Sequence, residues 1–144
     1  MIGIIITGHG NFATGLSSSV KLIAGQPENY EAVDFVQEDS VEDLERNLNN
    51  AIEKLAGCSG IMMFTDLVGG SPFKTSVEIS MKRKEKIVVL GGTNLGMIVE
   101  SSMARGFMED VDALADMIVN TGKDQVIKYT YVERVEEVVD GDGI

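Results

Sequence analysis

The sequence predicts an α/β layer fold built on a mainly parallel sheet. Two observations carry this: strand-length apolar runs alternate with segments of helical period, and the first run, Ile2 to Thr7, is too continuously apolar for a strand wetted on one face. At 144 residues with one cysteine, Cys58, the chain has the size of one domain, buries its core without a disulfide, and lacks any Cys/His cluster for structural zinc. Residues 1–132 are read as that domain and 133–144 as an acidic tail.

Each element follows from local chemistry. After Ile2 to Thr7 and a Gly8 to Asn11 loop, Ala13, Leu16, Val20 and Ile23 mark one face of a helix that ends near Gly25 and Pro27. Tyr30 to Val36 is a more polar strand, with Asp34 inside it, suited to an edge. Ser40 with Asp43 three residues on reads as an N-cap, and Leu44, Leu48, Ile52 and Leu55 form the apolar stripe of a second helix. Gly60 to Thr65 is a third strand, followed by Asp66-Leu67-Val68-Gly69-Gly70-Ser71-Pro72, in which Ser71 suits an N-cap and Pro72 the first helical turn. Phe73, Val77 and Met81 continue that helix inward. Lys86 to Gly91 is a fourth strand. A helix carrying Ile98, Val99 and Met103 follows, then another over Val111 to Asn120, and a β-branched, aromatic strand over Val126 to Val132.

Net charge is -11, which opposes a general nucleic-acid or anionic-membrane footprint. No apolar run approaches the ~20 residues that span a bilayer, and no basic leader precedes the first strand, so the expected location is cytoplasmic.

The chemistry points to the single histidine, His9, held between Gly8 and Gly10 at the end of the first apolar run. A solitary histidine is more often structural than catalytic. Flanking glycines shift that balance, because they let the backbone turn sharply and approach a ligand. Ligands of doubly wound sheets bind beyond the carboxyl ends of the strands, and in one common winding the first and third strands are neighbours. His9 and Asp66 then share one rim. A carboxylate that accepts from one imidazole nitrogen fixes the tautomer and leaves the other with its lone pair. Taken singly, Asp66 is more often a turn or cap residue. Gly69-Gly70-Ser71-Pro72 opens a helix whose free N–H groups and dipole favour an anion such as phosphate, and Gly10-Asn11 offers further donors. Neither loop holds a lysine, an arginine or a nucleotide-binding glycine pattern, which suits brief holding of a phosphoryl group better than hydrolysis.

Three stretches, Ile4 to Gly10, Phe64 to Phe73, and Gly91 to Leu95 with Glu100 to Arg105, occur in the order seen in a known family. On them the chain resembles the IIA component of the mannose family of the bacterial sugar phosphotransferase system. The resemblance implies a doubly wound sheet of four parallel strands in order 2-1-3-4, with an antiparallel strand, here Val126 to Val132, exchanged between the subunits of a homodimer. It implies that His9 takes a phosphoryl group on Nε2 from HPr and passes it to a IIB domain serving membrane IIC and IID components. It also implies that Asp66 holds Nδ1 and that Ser71 with nearby backbone amides contacts the phosphate; Gly70, Gly69 and Thr65 are the further residues expected at the phosphate. No metal or cofactor is implied. Many relatives carry a bulkier residue at Leu67-Val68, and a IIB domain is expected on a separate chain.

Three other readings stand beside it. A dihydroxyacetone kinase phosphotransfer subunit resembles the same family in its first domain, and the short chain favours the sugar transporter. A receiver domain phosphorylated on Asp66, with Thr93 as switch hydroxyl, needs acidic Mg²⁺ ligands where Thr7-Gly8-His9 stands. A flavin module is disfavoured by the lack of tryptophan and of a hydroxyl-rich first loop.

Overall fold

The apolar run at the N-terminus becomes the innermost region of a four-stranded parallel sheet in a computed structural model that describes residues 1–135. In chain order the elements are β1 (Gly3–His9), α1 (Phe12–Ala24), β2 (Tyr30–Phe35), α2 (Val41–Lys54), β3 (Ile61–Thr65), α3 (Ser71–Lys82), β4 (Ile87–Leu90), α4 (Leu95–Ala104) and α5 (Val111–Asp124). The strands lie in the order β2-β1-β3-β4, so β1 pairs with both β2 and β3, which puts Thr7 opposite Val33 and Thr65 and His9 opposite Phe35.

Ile2, Ile4, Ile5 and Ile6 are all fully buried, as a strand covered on both faces requires. Alternation splits them between two cores. Ile4 and Ile6 pack with Ala13, Val20, Ile98 and Leu114 of α1, α4 and α5, and Ile5 packs with Leu44, Leu48, Ile52 and Ile79 of α2 and α3. At the end of the sheet away from His9, the buried Arg105 guanidinium donates to the carbonyls of Ile2 (2.8 Å), Asn29 (3.0 Å) and Glu28, tying α4 to the starts of β1 and β2.

Several sequence expectations are corrected. α3 buries Pro72, Thr75, Ser76 and Ile79 rather than the Phe73, Val77, Met81 face, and Met81 is exposed. Ile23 and Met103 are likewise exposed: Ile23 lies in the last turn of α1, and Met103 lies off the face of α4 that buries Met97, Ile98, Ser101 and Ala104. Ser71 is not the N-cap of α3: Gly70 holds that position and Ser71 is the first helical residue. The Ser40–Asp43 capping box of α2 forms as expected, with each side chain bonded to the other's backbone amide.

Val126 to Val132 is not a strand within the single chain. Its residues carry no ladder, and Ile127, Tyr129 and Tyr131 stand exposed. A strand exists only against a hydrogen-bonding neighbour, and the described residues of the single chain supply none to this segment. The acidic tail expected over 133–144 lies outside the described residues from 136 onward.

Candidate functional site

The site is assembled at the carboxyl ends of β1 and β3. Gly8, the last but one residue of β1, is buried against Phe12, where a Cβ would come within 2.4 Å of the ring, so only glycine fits there. Gly10 then turns the chain at φ +58°, in the left-handed region, and its amide donates to the Phe35 carbonyl at 2.8 Å. That amide is spent, which corrects the expectation that Gly10 offers a donor to the anion site. Between the two glycines His9 projects onto the rim with its side chain 47% exposed.

Asp66 follows β3 directly, and its carbonyl accepts the Gly92 amide at 2.7 Å. Its side chain is only 12% exposed. Oδ2 accepts from the His9 backbone amide at 2.8 Å and stands 2.7 Å from His9 Nδ1. Burial alone pushes the Asp66 carboxyl up. The two His9 bonds and the nearby Leu67 amide outweigh it, so the group lies below the ordinary carboxylate value. Oδ1 is buried without a well-formed hydrogen bond, leaving Oδ2 as the oxygen that does the holding. An ionised carboxylate can only accept, so Nδ1 carries the proton and the neutral ring keeps a lone pair on Nε2.

The loop after Asp66 reaches the helix through Gly69 at φ +84° and Gly70 at φ −72°, with the Gly70 amide turned back to the Leu67 carbonyl at 3.1 Å. The Gly70 backbone lies against the imidazole: a Cβ there would stand 2.9 Å from His9 Cε1 and 3.7 Å from Nε2. Nε2 therefore faces the start of α3. Pro72 has no N–H, and helix geometry leaves the Ser71 and Phe73 amides without intrahelical acceptors. The Ser71 hydroxyl has no partner among the described residues. The whole end is positive by the helix dipole.

Thr65 is placed differently from expectation. It is fully buried, and its hydroxyl donates to the Leu90 carbonyl at 2.8 Å, behind the rim rather than on it. Thr93 is buried as well, with its amide on the Thr65 carbonyl at 3.1 Å. Sequence reasoning missed Phe35, whose ring centroid lies 5.9 Å from that of His9 at 60°. Its signal was an aromatic residue at the end of the strand that pairs with β1. Leu67 and Val68 are exposed beside the site, while one Val68 methyl fills the space a Cβ at Gly91 would need.

Among the described residues no group of three or more His, Cys, Asp or Glu side chains converges as a metal site, and no helix is long and apolar enough to cross a membrane.

Residues 3–119 match the family described as PTS system fructose IIA component. The chain is 34% identical over 125 residues to the mannose-specific EIIAB component of Escherichia coli K12, covering 87% of this chain and 38% of that protein. It is 26% identical over 120 residues to the fructose-specific EIIA component of Bacillus subtilis, covering 83% and 79% of the two chains. Among solved structures, the phosphotransferase system component EIIA of Streptococcus agalactiae is similar at TM-score 0.83 and 36% identity, over 89% of this chain and 97% of that one. The mannose/sorbose-specific IIA subunit of Enterococcus faecalis is similar at TM-score 0.82 and 26% identity, over 92% and 98%. With a sheet order, a histidine-bearing rim and these likenesses in agreement, the chain belongs to the mannose family of IIA components of the sugar phosphotransferase system.

Proposed function

We propose that this IIA component is a histidine phosphocarrier: His9 accepts a phosphoryl group from phospho-HPr and hands it to a IIB domain, which serves sugar uptake through membrane IIC and IID components. The observation that carries the reading is the 2.7 Å contact of His9 Nδ1 with Asp66 Oδ2, which turns Nε2 toward the start of α3. The Nε2 lone pair attacks phosphorus, the bond to the donor breaks, and its electron pair returns to the donor. The ring then carries a positive charge with its proton still on Nδ1, and the Asp66 carboxylate stabilises that charge. The phosphoryl oxygens lie against the α3 N-terminus, where the Gly69 and Ser71 amides and the Ser71 hydroxyl meet them, the Gly70 amide being held by the Leu67 carbonyl. With no lysine or arginine in either loop, the group is held without being trapped, as a relay requires.

The same reading places the protein in the cytoplasm and gives Val126 to Val132 a role. Among the described residues β4 has β3 as its only neighbour, and Ile87, Val88 and Val89 on it are only partly buried. An apolar edge of this kind calls for cover, and the exposed β-branched and aromatic segment of a second copy fits it as an added strand in a homodimer.

The test is incubation of the purified chain with phosphoenolpyruvate, enzyme I and HPr. The expected product carries one phosphoryl group, labile to acid and stable to base. A label sensitive to hydroxylamine, hence on Asp66, or no label at all, would overturn the carrier reading.

A further inference from the structure

We infer that Gly70 and Phe35 are positioning residues for the transfer, holding the His9 ring from its two sides so that the single bond to Asp66 suffices to aim Nε2. This rests on the phosphocarrier reading for its consequence, although not for its geometry. An imidazole 47% exposed and hydrogen-bonded at one nitrogen keeps freedom about both side-chain torsions. The neighbouring strands remove it. Because β1 lies between β2 and β3, Phe35 approaches from the β2 side, and Asp66 with Gly70 approaches from the β3 side.

Gly69 and Gly70 are glycines for different reasons. Gly69 lies at φ +84° with nothing within 4 Å of a would-be Cβ, so its demand is on the backbone. Gly70 lies at φ −72°, ψ 168°, a conformation open to every residue, so its demand is for space. A Cβ there would meet His9 Cε1 at 2.9 Å and the Leu67 carbonyl oxygen at 3.4 Å. The ring is the part that must yield, and it can yield only by tilting away from the helix and stretching the Nδ1 contact. On the other side Phe35 is fixed twice: its ring packs on the α2/α3 core, and its carbonyl takes the Gly10 amide that closes the turn after His9. It limits how far the imidazole can swing outward.

With one histidine in the chain, a ¹⁵N-histidine label reports on His9 alone. The wild-type ring is expected as the single tautomer protonated on Nδ1. Gly70→Ala and Phe35→Leu are each expected to give mixed tautomers and to lower the maximal rate of phosphorylation by phospho-HPr about 10- to 100-fold. The HPr concentration for half-maximal rate is expected to hold in both, as is the thermal midpoint of Gly70→Ala, whereas Phe35→Leu lowers the midpoint modestly because the ring also packs on the core; Phe35→Tyr, which keeps the ring, is expected to retain the wild-type tautomer and rate. Wild-type tautomer and rate in both Gly70→Ala and Phe35→Leu would overturn the inference. Should Gly70→Ala fail to fold, Phe35→Leu against Phe35→Tyr decides it: equal behaviour of the two overturns it. Failure of the wild-type protein to take label would overturn the carrier reading and leave the tautomer comparison intact.

Discussion

One oxygen of Asp66 grips His9 twice: Oδ2 accepts from the backbone amide at 2.8 Å and lies 2.7 Å from ring Nδ1. The carboxylate therefore sets both the position of the main chain at the end of β1 and the tautomer of the ring. Asp66→Asn is expected to slow phosphoryl transfer between roughly 10-fold and 10⁴-fold while the protein stays folded, because the amide can present its N–H₂ to Nδ1 and stabilise the wrong tautomer. Single-turnover kinetics with phospho-HPr, alongside circular dichroism, measures both. Unfolding of the variant would make the aspartate structural.

His9→Ala is expected to abolish the acid-labile label without loss of stability, since the side chain is half-exposed and outside both cores. Intact-mass spectrometry after incubation with the donor reads the first outcome, and urea unfolding reads the second.

Ser71→Ala separates a cap from a contact. Ser71 is the first residue of α3 and makes no capping bond, so its loss is expected to change stability by less than about 0.5 kcal/mol. Phosphoryl transfer is expected to fall. A large drop in the thermal midpoint with transfer unchanged would return Ser71 to a purely structural role.

Acid sensitivity follows from depressed carboxylates. Asp43 is pulled from 3.8 to about 2, chiefly by the Ser40 amide, and Glu85 from 4.5 to about 2, chiefly by Arg83. Asp66 shifts in the same direction. Folded protein thus binds fewer protons than unfolded protein in this range, so the stability from these groups is full above about pH 4.5 and is lost as pH falls toward 2. Urea midpoints measured from pH 6 down to pH 3 are expected to decline for the wild type, and less steeply for the double variant Asp43→Asn, Glu85→Gln.

Arg105→Ala is expected to cost at least about 3 kcal/mol in urea unfolding, because it removes the side-chain donor from the carbonyls of Ile2 and Glu28, leaves that of Asn29 with the Ile4 amide alone, and opens a cavity beside them. Arg105→Lys is expected to recover only part of it, since an ammonium lacks the planar fork that reaches three acceptors.

Much was legible in the sequence, because much was local. The continuous Ile4-Ile5-Ile6 run required burial on both faces, the Ser40–Asp43 spacing required a capping box, and Gly8-His9-Gly10 marked the residue that the strand end presents. These depend on propensities and spacings of a few residues. Tertiary structure decided what distance along the chain conceals. It gave Thr65 a partner in Leu90, so its hydroxyl turned into the protein, and it spent the Gly10 amide on Phe35. It brought Phe35 and Gly70 against the imidazole from strands and loops far apart in sequence, and it chose Pro72, Thr75, Ser76 and Ile79 over Phe73, Val77 and Met81 as the buried face of α3. Val126 to Val132 shows the boundary between the two: its residues favour a strand, but a strand is a property of a pair, and which edge it joins depends on hydrogen bonds that the segment cannot make with itself.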